Sequence, residues 1–252
     1  MSAGEEASVR SRRVPGSTCG HGHDREADSA CGLHKVQSLL RVPGVRHRHH
    51  EGISAQFAEE IPPELVQKHD STERVRIYSS DSPVRIGPLE VAPFLTVHDA
   101  VDPVAVTVTE ALTGQKLGVA TDLGRPTATV RSALQGCDML VLEANYDDLL
   151  LRESVYPWSV KARIASSHGH LSNRAAAELA TELSHAGLAC VVLAHLSERA
   201  NDPGLAEAVV GEALHRARFR GSMLTGKQHE PLPPIDVAAK RNRLLPEQLP
   251  LL

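Results

Sequence analysis

From Arg74 onward the chain alternates apolar and polar positions with the period of two that a half-buried strand requires. RVRIYS at 74–79 is followed by a turn at Asp81-Ser82-Pro83 and then by VRIGPLEVAPFLTV, which ends in an apolar run over Leu89–Val97. Val104–Thr109 and Lys116–Thr121 pair naturally as a hairpin across Ala111–Gln115, where Thr113-Gly114 suits the turn. Thr127–Leu134 reads as a helix with Pro126 near its first turn, and Met139–Leu142 as a short buried strand ending at Glu143. Farther on the period lengthens. Ser172 or Asn173 caps a helix with Ala175, Leu179 and Leu183 on one face and Gly187 as its stop. Leu188–Ala194 is a second buried strand, and Asp202 with Pro203 opens a helix that turns Leu205, Val209, Ala213 and Leu214 inward.

The first third has no such pattern. Residues 1–72 are dominated by Arg, His, Gly, Ser and Glu, with helical hints only at Val36, Leu39 and Leu40 and at Ala55–Glu60, and are expected to be weakly ordered. Three segments follow: a degenerate 1–72, a folded 73–224 of the α/β class, and a Pro- and Lys/Arg-rich tail, 225–252, expected to be loosely attached.

Composition narrows the picture. With 41% hydrophobic residues but only 3% aromatic, the 252-residue chain is expected to build an aliphatic, alanine-rich core. A net charge of −4 supplies no global basic field, so nucleic acid could be held only by a local patch. Cys19, Cys31, Cys137 and Cys190 match no paired zinc-knuckle spacing and read as reduced thiols. The polar first thirty residues lack the apolar core of a secretory signal, and no run reaches the roughly 18 residues of a membrane span. A cytoplasmic protein with no membrane partner is expected.

Three polar residues stand directly after strand-length apolar runs: His98 after Leu89–Val97, Asp122 after Lys116–Thr121, and His195 after Leu188–Ala194. Each alone is more simply a cap or a loop contact. Together on one sheet edge they form a metal-ligand set, because imidazole and carboxylate are what Zn²⁺, Mn²⁺ and Fe²⁺ accept, and an ion with open positions activates water.

TVHDAVDP at 96–103, LGVATDLG at 117–124, LEANYD at 142–147, YPWSVKARI at 156–164, GHLSN at 169–173 and VVLAHLSERAN at 191–201 resemble, in order and spacing, consecutive motifs of the metallo-β-lactamase fold. They are most similar to its WalJ (YycJ)-like branch, over about residues 75 to 222. The resemblance implies an αββα sandwich with a binuclear metal site and exonuclease-type phosphodiesterase activity. By position, His98 corresponds to a second-metal or shared-site histidine, Asp122 to the carboxylate bridging the metals, and His195 to the final histidine. Asp122 and His170 are the implied catalytic residues, with His170 able to reach a substrate phosphate. Glu143 and Asn145 would shape the floor of the site, and Tyr146 stands where the family often has histidine. Asp99 and Asp102 are read as loop caps. Lys161 and Arg163, beside Tyr156 and Trp158, form a basic-aromatic cluster suited to a nucleic-acid substrate, although a solvated helix face explains the two cations equally.

One departure stands out. The family's His-x-His-x-Asp-His is absent between residues 30 and 75. The nearest sequence, His47-Arg48-His49-His50-Glu51-Gly52, keeps His-x-His, which makes His47 and His49 further candidate ligands; His21-Gly22-His23-Asp24 is an alternative. The expectation is therefore a hydrolase with an impaired or single-metal site, using Zn or Mn as one or two ions. The competing expectation is a non-catalytic binding module on the same scaffold, the Arg10–His50 stretch having the composition of GC-rich DNA translated in a displaced frame. In either case the first sheet should be incomplete, leaving an apolar face open to self-association.

Overall fold

The computed structural model describes residues 82–244, together with the backbone of two short strands, β1 (Val45–His47) and β2 (Arg76–Tyr78). These two pair in parallel and form a small sheet of their own. β1 falls in a stretch where the sequence predicts no strand, because three residues are too few to show a period. The helical hints at Val36–Leu40 and Ala55–Glu60 lie outside the described residues, as do His49 and the side chain of His47.

The main sheet has seven strands in sequential order: β3 (Val84–Ile86), β4 (Leu89–Leu95), β5 (Val104–Glu110), β6 (Lys116–Ala120), β7 (Met139–Glu143), β8 (Cys190–Ala194) and β9 (Ser222–Thr225). β3 to β6 run antiparallel as consecutive hairpins, and β6 to β9 run parallel, linked by helical crossovers. α1 (Ala128–Leu134) joins β6 to β7. α2 (Asp148–Glu153), α3 (Trp158–Ile164) and α4 (Asn173–Glu182) lie between β7 and β8, and α5 (Pro203–Arg216) joins β8 to β9. All five residues of β7 are buried, because a central parallel strand is covered on both faces. That is why MLVLE reads as an unbroken apolar run with a single acid at its end.

One face of the sheet, with Phe94, Ala105, Ala120, Leu140, Leu142, Val191 and Leu193, packs against Val130 and Leu134 of α1, Leu179 and Ala180 of α4, and Ala206, Val210 and Leu214 of α5. Each fully buried Leu or Val contributes about 1.5–3 kcal/mol by leaving water. The cap and Pro203 of α5 stand as the sequence predicts, with the Asp202 carboxylate accepting from the backbone of Gly204 and Leu205. Its inward face, however, is rotated. Ala206, Val210 and Leu214 are buried, whereas Leu205 is 42% exposed. Val209, Ala213 and Leu214 do pack on the core as expected, and packing against α4 and β9 turns the face by enough to bury the small Ala206 in place of Leu205. α4 closes at Glu182, several residues before Gly187, because the Leu183 and Ser184 N–H groups tighten the last turn onto Leu179 and Thr181.

The opposite face carries Val119, Met139, Val141, Cys190 and Val192. The C-terminal segment, expected to be loose, packs here. Leu232, Ile235 and Val237 lie against this face, and Asp236 caps a short final helix, α6 (Val237–Asn242). The Arg241 guanidinium reaches the buried Asp138 at 3.3 Å, and Lys240 donates to the Ser222 hydroxyl at 2.7 Å. Three spaced apolar residues among prolines show no period, so only the sheet they cover reveals their role. Among the described residues, no helix is long and apolar enough to cross a membrane.

Candidate metal centre

The carboxyl ends of β4, β6, β7 and β8 deliver His98, Asp122, Glu143 and His195 to one rim, and the loop before α4 adds His170. Asp122 and His195 follow their strands with φ of 55° and 57°, in the left-handed region. Such a backbone costs an L-residue about 1–2 kcal/mol. Asp and His tolerate it better than most residues. At both positions it follows the end of a strand directly, so the chain turns while the side chain stays at the rim.

Glycines let the loops close. Gly124 donates its N–H to the Val97 carbonyl at 2.8 Å, and a Cβ on it would sit 2.4 Å from the Ser167 carbonyl oxygen. The loops carrying Asp122, His98 and His170 therefore meet at this one residue. Gly169 is as tightly held, since a Cβ there would lie 2.2 Å from the carbonyl oxygens of Arg163 and Ile164.

Hydrogen bonds behind the imidazoles orient them. His98 Nδ1 donates to the Gly169 carbonyl at 2.8 Å. His195 Nδ1 and His170 Nδ1 both donate to Oε1 of Glu143, at 2.6 and 2.7 Å. With the proton on Nδ1, the lone pair of each ring resides on Nε2. His98 Nε2 and His195 Nε2 then both lie near the same atom, Oδ1 of Asp122, at 3.6 and 3.7 Å, and His98 Nε2 also lies 3.4 Å from Oδ1 of Asp99. His170 lies between them, its ring centre 4.8 Å from that of His98 and 5.1 Å from that of His195.

Glu143 is completely buried, yet all its lone pairs are used. Oε1 accepts from the two imidazoles, and Oε2 accepts from the backbone N–H of Leu123 at 2.9 Å and of Leu171 at 3.1 Å. Burial alone would raise its pKa, but the hydrogen bonds from His170 and His195, joined by the attraction of those rings whenever they are protonated, outweigh it and hold the carboxyl at about 2. Asp122, Glu143, His170 and His195 each bring a ligand-type atom within 4.8 Å of the others. Of these, Glu143 has no lone pair to spare, so it orients histidines and does not itself bind an ion. The donors nearest Asp122 Oδ1 are His98 Nε2 and His195 Nε2. Their distances from it, 3.6 and 3.7 Å, are close to the ~3.4 Å edge of a tetrahedron built on metal–ligand bonds of about 2.1 Å. Asp122 with either imidazole thus has the spacing of two ligands of one Zn²⁺ or Mn²⁺.

The other site candidates divide. His98, Asp122, His170 and His195 come together, whereas His47 and His49 as ligands lie outside the described residues. Asp99 is not a loop cap: it forms a two-point ion pair with Arg163, through Nε to Oδ2 and through Nη2 to Oδ1 at 3.1 Å. That guanidinium holds the Asp99 carboxyl below its usual range. Arg163 is therefore committed to the loop after His98, and Lys161 donates to the Arg152 carbonyl at the end of α2 at 2.6 Å. Trp158 stands 82% exposed at the start of α3. Asn145 donates to the His195 carbonyl at 2.9 Å, which agrees with a place beneath the site. The pairing role of Glu143 was not readable from the sequence; its one signal is an acid closing an otherwise apolar strand.

Comparison with known proteins gives this geometry a lineage. The chain is 32% identical over 148 residues to Exodeoxyribonuclease YycJ of Bacillus anthracis, covering 59% of this chain and 55% of that protein. It is 29% identical over 150 residues to Exodeoxyribonuclease WalJ of Streptococcus pneumoniae (strain D39), covering 60% of this chain and 55% of the relative. The chain thus spans about half the length of the curated relatives it matches. Among solved structures, the metallo-beta-lactamase fold protein YhfI from Bacillus subtilis aligns at 18% identity with a TM-score of 0.48, covering 77% of this chain and 66% of that one. The model of the Beta-lactamase superfamily domain matches residues 23–195, well over half of the sequence, and the chain belongs to that family.

Proposed function

We propose that this chain is a metal-dependent hydrolase of phosphodiesters, of the exonuclease type, working with one Zn²⁺ or Mn²⁺ held by His98, Asp122 and His195. The observation that carries this is the convergence of two Nε2 atoms on Asp122 Oδ1, with both Nδ1 protons tied off behind them. Such an ion, when bound, lowers the pKa of water and polarises a phosphoryl oxygen. The chain's own groups do the rest. Asp122 supplies the negative charge that balances the cation. Glu143 keeps His195 and His170 in the Nδ1–H tautomer, and His170 presents the lone pair of Nε2 beside the donor set, where it can take a proton from water and, as the imidazolium so formed, give it to a leaving oxygen. The names of the YycJ and WalJ relatives favour DNA as substrate.

The test is metal content together with cleavage of single-stranded DNA by the wild type, His98→Ala and Asp122→Ala. One equivalent of tightly held metal and loss of cleavage in both variants is the expected result. Cleavage undiminished in both would remove the proposal. A second reading, a non-catalytic module, is favoured by the missing His-x-His-x-Asp-His; metal binding without any cleavage by the wild type is its signature.

A further inference from the structure

We propose that Trp158, with Val155 beside it, is a stacking platform for a base of a single-stranded nucleic acid whose backbone leads into the metal centre. The inference rests on the phosphodiesterase reading above and adds to it a place where the strand is gripped.

The chain has a single tryptophan, and the fold leaves it 82% exposed. Val155, on the α2–α3 elbow, is 86% exposed, and Leu149, in the first turn of α2, is 49% exposed, so three exposed large apolar residues fall within ten residues of sequence. Among the described residues, the other exposed large hydrophobics, Leu95, Val101, Leu112 and Leu205, belong to other elements.

The elbow itself is firmly built. Asp147 caps α2, the Ser154 hydroxyl donates to Leu151, and the Lys161 ammonium bonds the Arg152 carbonyl. Tyr156 and Ile164 pack onto Tyr146, Leu151 and Ala200, and the Arg199 guanidinium lies 5.8 Å from the centre of the Tyr156 ring. A tryptophan held out on a rigid support, at a cost in exposed apolar area, is what stacking on a flat partner requires.

The helix that starts at Trp158 ends at the metal centre. The His170 N–H donates to the Ile164 carbonyl at 2.9 Å, and Arg163 grips Asp99 next to His98. Six residues of helix at about 1.5 Å each put Trp158 roughly 9 Å from Ile164 along the helix axis. That is the reach of about two to three stacked nucleotides at ~3.4 Å each. Arg152, Lys161 and Arg199 supply positive charge on these segments; of the carboxylates there, Asp147 caps α2, Asp148 is paired with Arg174, Glu198 with His229, and Glu153 completes the set. A strand whose bases offer flat apolar faces to the indole and whose phosphates lead to the rim this helix reaches matches the arrangement.

Because there is one tryptophan, its fluorescence reports on this residue alone. Metal-loaded protein is titrated with a short phosphorothioate-linked single strand that resists cleavage, and tryptophan emission is followed beside the anisotropy of the labelled strand. Quenching with the same midpoint as the anisotropy is expected. Trp158→Ala should weaken binding about 5- to 150-fold, the range of one base–aromatic stack, and Trp158→Phe should recover most of it. If the strand binds while emission is unmoved and Trp158→Ala binds as well as the wild type, the platform is wrong and the hydrolase reading stands. Absence of any binding by the wild type overturns both. Emission that changes with protein concentration alone, together with dimers that Trp158→Ala abolishes, would make the patch a self-contact and overturn the platform.

Discussion

Glu143→Gln isolates the contribution of the buried carboxylate. Glutamine fills the same volume but accepts with only one of its two terminal atoms. If its oxygen faces the Leu123 and Leu171 N–H groups, its NH₂ opposes the Nδ1–H of both His170 and His195. Donor then faces donor at both contacts, and the rings escape only by moving the proton to Nε2, the atom His195 directs at Asp122. Loss of such an orienting partner typically weakens metal binding about 10- to 100-fold, or about 1.4–2.7 kcal/mol. The assay is chelator competition for Zn²⁺ or Mn²⁺, with circular dichroism confirming the fold and nitrogen shifts of the imidazoles reporting the tautomer. An affinity within twofold of wild type, with Nδ1–H retained on both rings, would refute the reasoning. The same residue sets an acid limit for the metal-free protein. Its carboxyl is held at about 2 against an ordinary 4.5, so its stabilisation is fully present above pH 4.5 and is lost as pH falls from there through about 2. The size is on the order of 3 kcal/mol, and the variant should lack this component of the acid transition.

Three further outcomes are expected. Gly169→Ala forces a methyl into the Arg163 and Ile164 carbonyls and shifts the carbonyl that receives His98, so Tm should drop by several degrees, about 1–3 kcal/mol, and metal affinity should fall; an unchanged melting curve and affinity would contradict the packing. Burial raises the Cys137 thiol to about 11, so peptide mapping after thiol labelling at pH 8 should find it unmodified in native protein and modified in urea, and fast native labelling would show that the site is open. Ile235→Asp should cost about 1–3 kcal/mol by detaching the C-terminal segment and exposing Val119, Met139 and Val192, read as increased binding of an apolar dye and concentration-dependent association; a protein that stays monomeric with an unchanged melt would deny the segment its role.

The strands and crossovers were legible because their signals are local. Leu89–Leu95 and Cys190–Ala194 are apolar runs of strand length, and Asp202-Pro203 is a helix start by itself. His98, Asp122 and His195 were legible for the same reason, each being the first polar residue after such a run. What depends on two distant segments was not. The link from Glu143 to His170 and His195, the pairing of Arg163 with Asp99, and the seat of Leu232 and Ile235 on the sheet join residues far apart in sequence. Local spacing holds no record of them. On α5 the expected Val209, Ala213 and Leu214 do face the core, and only Leu205 departs, because Leu205 and Ala206 both satisfy a 3.6-residue period and hydropathy favours the larger residue over the one that fits.

The seating of Leu232, Ile235 and Val237 bears on how a nascent chain matures. β9 is the last strand of the main sheet, and the residues that cover Val119, Val141 and Val192 are made after it. At ribosomal speeds of about 5–20 residues per second, this apolar wall goes without that cover for roughly a second or more after the strands exist. Any truncation before Leu232 would make the interval permanent, turning a brief need for chaperone shelter into a lasting one.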